Sequence, residues 1–189
     1  ASHEGYSFFK YFLKKNTDIK SFLDIGCGNG ILKELIIRLE SHSKFNLNLI
    51  ISGSHLNNKK ESSSYREIVE LNIKNTHEIS TYVKSKDDFM DISKSMSLGL
   101  QKYPKTLSEI NGDILILLGD RFETLIAAIC ATLIKLPIAH IHGGDISEGA
   151  FDESFRHSIT KMSHIHFPAT KESAKVIEQL GEKKDNIFN

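Results

Sequence analysis

At 189 residues the chain is long enough for one domain with a sizeable core, and its composition, 40% hydrophobic and 25% charged, is that of an ordinary globular protein. Lysine plus arginine equals aspartate plus glutamate, so the formal net charge is zero, which argues against a protein that holds nucleic acid by bulk charge. No apolar run approaches the roughly 20 residues of a bilayer span, and no basic-then-apolar leader opens the chain, so no membrane partner is expected.

In chain order, a helix is expected over about 5–15, then a strand at Ser21–Ile25 and a glycine-rich turn. A helix over Ile31–Ser41 and a strand at Leu47–Ser52 follow. The stretch from Asn57 to Lys86 is the least legible, with a polar loop at Lys59–Ser64. Ile92–Leu107 reads as a helix with Ile92, Met96, Gly99, Leu100 and Tyr103 on one face. Next come strand Ile114–Leu118, helix Phe122–Lys135, strand Ile138–Ile141, helix Glu153–Met162, short strand Ile165–Pro168 and helix Lys171–Leu180. Asp185–Phe188 has the character of an approach to another strand, so the chain is expected to be the first half of a two-domain protein. Strands alternating with helices predict βαβ units and one doubly wound α/β domain on a parallel sheet. Cys27, in the glycine loop, and Cys130, in an apolar helix, can by themselves build neither a disulfide framework nor a zinc cluster. A reducing, cytoplasmic setting is the expectation.

Leu115–Leu118 runs into Gly119, Asp120 and Arg121, and Ile138–Ile141 runs into His142, Gly143, Gly144 and Asp145. In an open parallel sheet, ligands sit outside the carboxyl ends of the strands, so a buried strand ending in glycine and charge marks a candidate site. A third cluster, Asp152, Glu153, Arg156 and His157, stands at a helix start. Each has a structural alternative. Asp120 could cap the helix after it, and Asp152 and Glu153 could be ordinary first-turn acids favoured by the helix dipole. His140, His142, His164 and His166 alternate on strands but pair across about 24 residues with no cysteine or tight carboxylate partner, so no metal is expected.

The string Leu23-Asp24-Ile25-Gly26-Cys27-Gly28-Asn29-Gly30 resembles the first motif of class I S-adenosylmethionine-dependent methyltransferases, over about the first 30 residues. Glycines there let the backbone approach a ligand, with a helix N-terminus behind them. That family usually ends its second strand with an acid; here it ends Ile51-Ser52-Gly53-Ser54-His55, without one.

From Gly30 onward the likeness changes. Ile31-Leu32-Lys33-Glu34-Leu35-Ile36, Phe45–Leu56, Ile92–Met96 and the block Leu117–Lys161 resemble the hydrolysing UDP-N-acetylglucosamine 2-epimerases, across about 160 of the 189 residues. The resemblance implies the N-terminal half of a GT-B fold, two Rossmann-like domains with the substrate between them, and a cytoplasmic enzyme of sialic or related nonulosonic acid precursor synthesis. The first loop departs from the family, whose members usually carry Gly-[Ser/Thr]-Arg-Ala-Asp-Tyr-Gly with a diphosphate-holding arginine; Gly26–Gly30 has none. The chain reads as a methyltransferase-like segment over 1–30 joined to an epimerase domain over 31–189.

The chemistry so implied is anti elimination of the nucleotide across C1–C2 of the sugar, then hydration of the 2-acetamidoglucal to free N-acetylmannosamine. That needs a base, a proton donor on the opposite face and cations for the departing diphosphate. By resemblance Asp120 and Asp152 are the catalytic carboxylates, with His142 where several relatives have a carboxylate. The histidine either carries the same proton or marks a change of nucleotide from UDP to GDP, as in legionaminic acid synthesis. Arg121 is the nucleotide-contacting arginine, and Ser54, His55, Ser95, Glu153, Arg156 and His157 are further candidate substrate contacts. The partner implied is UDP- or GDP-N-acetylglucosamine, with no cofactor, and a homo-oligomer is left open. Two other readings remain: a methyltransferase, resting on Asp24–Gly30 alone, and a domain that folds but does not catalyse without its second half.

Overall fold

A computed structural model describes residues 19–25, 31–56, 59, 62–83, 89–146 and 152–188. The helix expected over 5–15 and the Gly26–Gly30 turn with Cys27 lie outside the described residues. Six strands, β1 (Ile19–Ile25), β2 (Phe45–Ser52), β3 (Thr76–Ile79), β4 (Ile114–Leu118), β5 (Ile138–Ile141) and β6 (Ile165–Phe167), form one sheet in the order β3-β2-β1-β4-β5-β6. Every pairing is parallel. The described helices are α1 (Ile31–Ser41), α2 (Ser63–Glu70), α3 (Phe89–Ile110), α4 (Phe122–Leu133), α5 (Asp152–Met162) and α6 (Lys171–Gln179).

The central strand β4, Ile-Leu-Ile-Leu-Leu, is a continuous apolar run because both faces of the sheet are covered there. On one face Leu47, Leu49 and Ile51 of β2 and Ile114 and Ile116 of β4 pack with Leu35, Ile36 and Leu39 of α1. On the other, Ile50, Leu115, Leu117 and Ile138 meet Tyr103 and Leu107 of α3, the Ile126–Ala131 stretch of α4 and Ile159 of α5. Burial of each leucine or isoleucine contributes about 1.5–3 kcal/mol, so the two faces together hold the sheet. Among the described residues no helix is long and apolar enough to cross a membrane.

The boundaries differ from expectation for identifiable reasons. In the illegible stretch, α2 starts where Ser62 accepts the amide of Tyr65 at 3.1 Å, so the end of the expected Lys59–Ser64 loop is a capped helix start. β3 is a four-residue edge strand with only Ile79 buried, which leaves little alternation to read. α3 extends past its expected ends and runs through Pro104, giving up the bond to the carbonyl one turn earlier. α4 stops at Leu133, not Lys135. Lys135 takes φ +61, and the amides of Leu136 and Lys135 close on the carbonyls of Ala131 and Thr132 at 2.9 and 3.2 Å. That is a Schellman ending with lysine in the left-handed place. The tail does approach the sheet: Ile187 bridges His166 in parallel, and the Phe188 amide donates to the His166 carbonyl at 2.9 Å.

Order reversal falls between β1 and β4. The crevice at their carboxyl ends is where this topology places ligands, and the residues that follow β2, β4 and β5 surround it.

Candidate active site

The turn after β4 is held from below by a buried histidine. His140 of β5 is fully buried, its Nε2 is 2.8 Å from the Gly119 carbonyl, and its Nδ1 is 3.2 Å from Thr160 Oγ1. Burial above all, then the nearby His166, Arg156 and His142, pushes its pKa down to about 4, against a smaller upward pull from the Gly119 carbonyl. The ring is therefore neutral near pH 7. A carbonyl can only accept, so the single ring proton is assigned to Nε2. Thr160 Oγ1, also 2.9 Å from the Arg156 carbonyl, has one proton for the two acceptors. Gly143 lies on this network so closely that a Cβ there would meet His140 Nδ1 and Thr160 Oγ1, both at 2.9 Å.

Above that support, four charged or titratable groups converge from three elements. Arg156 of α5, with its side chain 11% exposed, donates through Nη2 to Asp120 Oδ2 and through Nη1 to the Asp145 carbonyl at 2.7 Å. The Asp145 carboxylate accepts the Ser173 hydroxyl on Oδ1, while Oδ2 stands 3.5 Å from His142 Nδ1. Ser173 belongs to the first turn of α6, whose N-cap Thr170 accepts its amide at 3.0 Å. The loops after β4 and β5 are thus tied through one arginine, and Asp120 and His142 face the same crevice edge.

Asp120 does not cap α4. Arg121 occupies the cap position in an extended conformation with no side-chain cap bond, and the Asp120 carboxylate turns to Arg156 instead. Asp152 opens α5, half-buried, one helical turn before Arg156 and so on the same side of the helix. Glu153 pairs with His157 one turn on, at 3.5 Å. Arg121 pairs with Glu123 and lies close enough to the buried His55 that burial first, and Arg121 second, lower the histidine's pKa. Ser54 falls in the turn after β2, and its side chain lies outside the described residues. Ser95 is buried in α3, where its hydroxyl accepts the Val83 amide at 3.2 Å and props the connection from β3. The structure therefore brings Asp120, His142 and Arg156 together, sets Arg121 and His55 beside them, and leaves Ser95 in the support of a loop.

Sequence reasoning passed over Glu123 and Ser173 as site residues, named Asp145 in the strand-end cluster without giving it a role, and weighed His140 only as a metal ligand. Glu123 could have been found as a carboxylate in the first turn of an otherwise apolar helix. His140 could have been found as a polar residue inside a wholly buried strand.

A family profile described as UDP-N-acetylglucosamine 2-epimerase matches residues 37–189. The chain belongs to that family. It is 35% identical over 159 residues to the GDP/UDP-N,N'-diacetylbacillosamine 2-epimerase (hydrolyzing) of Campylobacter jejuni, which covers 84% of this chain and 41% of that one. It is 32% identical over 158 residues to the UDP-N-acetylglucosamine 2-epimerase of Neisseria meningitidis serogroup B, covering 84% and 40%. A crystal structure of a UDP-GlcNAc 2-epimerase from Neisseria meningitidis bound to UDP-GlcNAc superposes with a TM-score of 0.73 at 17% identity, over 90% of this chain and 46% of that one. That likeness establishes the fold as the Rossmann-like N-terminal half of the GT-B arrangement. The chain spans about two-fifths of the length of the curated relatives it matches. The match begins beyond the methyltransferase-like Asp24–Gly30 string.

Proposed function

We propose that these residues form the N-terminal, acid–base half of a hydrolysing nucleotide-sugar 2-epimerase. The substrate class is a UDP- or GDP-linked 2-acetamido sugar, with N-acetylglucosamine and N,N'-diacetylbacillosamine the sugars carried in the names of the relatives. The observation that carries the reading is Arg156, which ties Asp120 to the loop of Asp145 and His142 at the carboxyl ends of β4 and β5.

In the reaction a base removes the C2 proton while the C1–O bond to the diphosphate breaks on the opposite face. The products are the nucleoside diphosphate and a 2-acetamidoglucal. Water then adds at C1 and a proton returns to C2 from the other side, releasing the free 2-epimeric sugar. Asp120, held in one orientation by Arg156, and Asp152, one turn from it, are assigned the carboxylate roles; His142 exchanges the second proton. Arg121, with His55 beside it, meets the departing diphosphate, and the Ser54 turn lies on the same side. The Glu153–His157 pair is assigned to the sugar side. Two proton transfers and loss of a good leaving group ask for no cofactor. Nucleotide sugars place the reaction in the cytoplasm, and a homo-oligomer is compatible with it.

The test is diphosphate release by the full-length protein from UDP- and GDP-linked forms of both sugars. Turnover of at least one is expected, with kcat reduced by about 10²–10⁴ in Asp120→Asn. Failure to release diphosphate from all four would sink the reading.

A further inference from the structure

Glu123 is an acid in an unusual place. It stands in the first turn of α4, next to the stretch Leu125–Ala128 that is buried throughout, and its own side chain is only 2% exposed. A carboxylate taken out of water is costly unless it is paired. It pairs with Arg121, whose Nε is 3.2 Å from Oε2 and whose Nη2 is 3.5 Å from Oε1. This is a side-on approach, which fixes the plane of the guanidinium as a single contact would not. Arg121 itself remains 39% exposed.

The carboxylate also reaches across the sheet. Gly53 follows β2 at φ +63, and a Cβ on it would lie 2.2 Å from Glu123 Oε1 and 2.8 Å from the carboxyl carbon. In the strand order β2-β1-β4, a side chain that starts after β4 and ends against the turn after β2 crosses the carboxyl end of β1. It lies on the floor of the crevice at the switch point. Glycine at position 53 meets two demands: the left-handed backbone, and the room the carboxylate occupies.

We infer that Glu123 is a positioning residue for the nucleotide's diphosphate: it fixes the Arg121 guanidinium over the crevice floor, and Gly53 is the gap that admits it. The inference rests on the nucleotide-sugar reading above. It makes a prediction of opposite sign to simple charge counting. Removing a negative charge beside a dianion should, by Coulomb's law alone, tighten its binding. Removing the group that orients Arg121 should weaken it.

The experiment compares wild-type full-length protein with Glu123→Gln, Arg121→Lys, the double variant and Gly53→Ala. It uses the nucleotide sugar that the wild type turns over, with UDP and GDP as product inhibitors. Glu123→Gln should raise KM and the inhibition constant about tenfold, and lower kcat as well, because the departing diphosphate gains charge in the transition state and leans on the oriented guanidinium there. Gly53→Ala should move the same constants in the same direction. In the Arg121→Lys background, where no planar fork remains to be oriented, Glu123→Gln should add little. If Glu123→Gln left KM and inhibition unchanged or tightened them while the melting temperature fell, Glu123 would be a stability residue and the inference overturned. Equal weakening in both backgrounds would overturn it too. A wild type that released no diphosphate would remove the nucleotide-sugar reading itself, and this inference with it.

Discussion

His142 holds φ +63, in the left-handed region that residues other than glycine seldom occupy. Its amide donates to the Phe167 carbonyl at 3.0 Å, and Gly143 and Gly144 follow it, so the surrounding loop dictates the conformation. Such strain costs on the order of 1–3 kcal/mol and collects at functional sites. The partly exposed contact with Asp145 offsets little of it. His142→Gly should therefore leave the denaturation midpoint unchanged or raise it, while His142→Ala, which keeps the Cβ without the ring, should lower it. Under the proposed function both lose turnover. Urea melts of the two variants check this, and an alanine variant at least as stable as the glycine variant would remove the strain argument. At this scale the sequence was legible where polar groups stood beside glycine at a strand end, as with Asp120, Arg121, His142 and Asp145. It was not legible for Glu123, whose role depends on a turn far away in the chain. Nothing near Glu123 in sequence points to Gly53, because contact between them exists only once β2 and β4 flank β1.

The elements that carry the site are pinned to one another through buried histidines, and this has a consequence for stability. His140 links β5 to the Gly119 turn and, through Thr160, to α5. Its pKa drops from the ordinary 6.5 to about 4 on folding, so between those values the unfolded chain binds more protons than the folded one. Its contribution is present in full above about pH 6.5 and is lost as pH falls through about 4, amounting to about 3 kcal/mol across the window. His55, His77 and His166 shift in the same direction, chiefly by burial, and add to the slope. Wild-type unfolding free energy should fall from about pH 7 to about pH 4, and His140→Gln, which keeps an N–H for the Gly119 carbonyl, should show a shallower fall. Identical slopes in the two proteins would mean His140 is not held neutral in the fold. The central strand of this layer could be read because a sheet covered on both faces favours an unbroken apolar run, as at Ile114–Leu117. α2 and β3 could not, since one depends on a single serine cap and the other buries only Ile79. Strand order was not readable either: alternation of strand and helix predicts a parallel sheet, but the reversal between β1 and β4 is a property of the crossovers.

For the whole molecule, the decisive fact is that the described polar clusters share one edge of the sheet. Asp120, Arg121, His142 and Arg156 stand at the carboxyl ends of the strands. Phe89, which begins α3, and Ile146, which follows β5, stand on the same side of the sheet with 74% and 68% exposure. Elimination from a nucleotide sugar needs the diphosphate gripped and water kept from the reacting carbons until the leaving group has gone. One wall cannot do both, and the relatives are more than twice as long as the matched region, with this chain covering 41% of the Campylobacter protein. The 189 residues alone should fold, since both faces of the sheet are already packed. They should release diphosphate at less than about 1% of the full-length rate, the loss expected when half of the positioning and charge stabilisation is absent. Circular dichroism establishes the first point, and a coupled diphosphate assay on matched amounts of the two proteins establishes the second. Comparable rates would show that Asp120, His142 and Asp152 complete the chemistry without a second wall, and the acid–base assignment would then have to account for substrate binding on this edge alone.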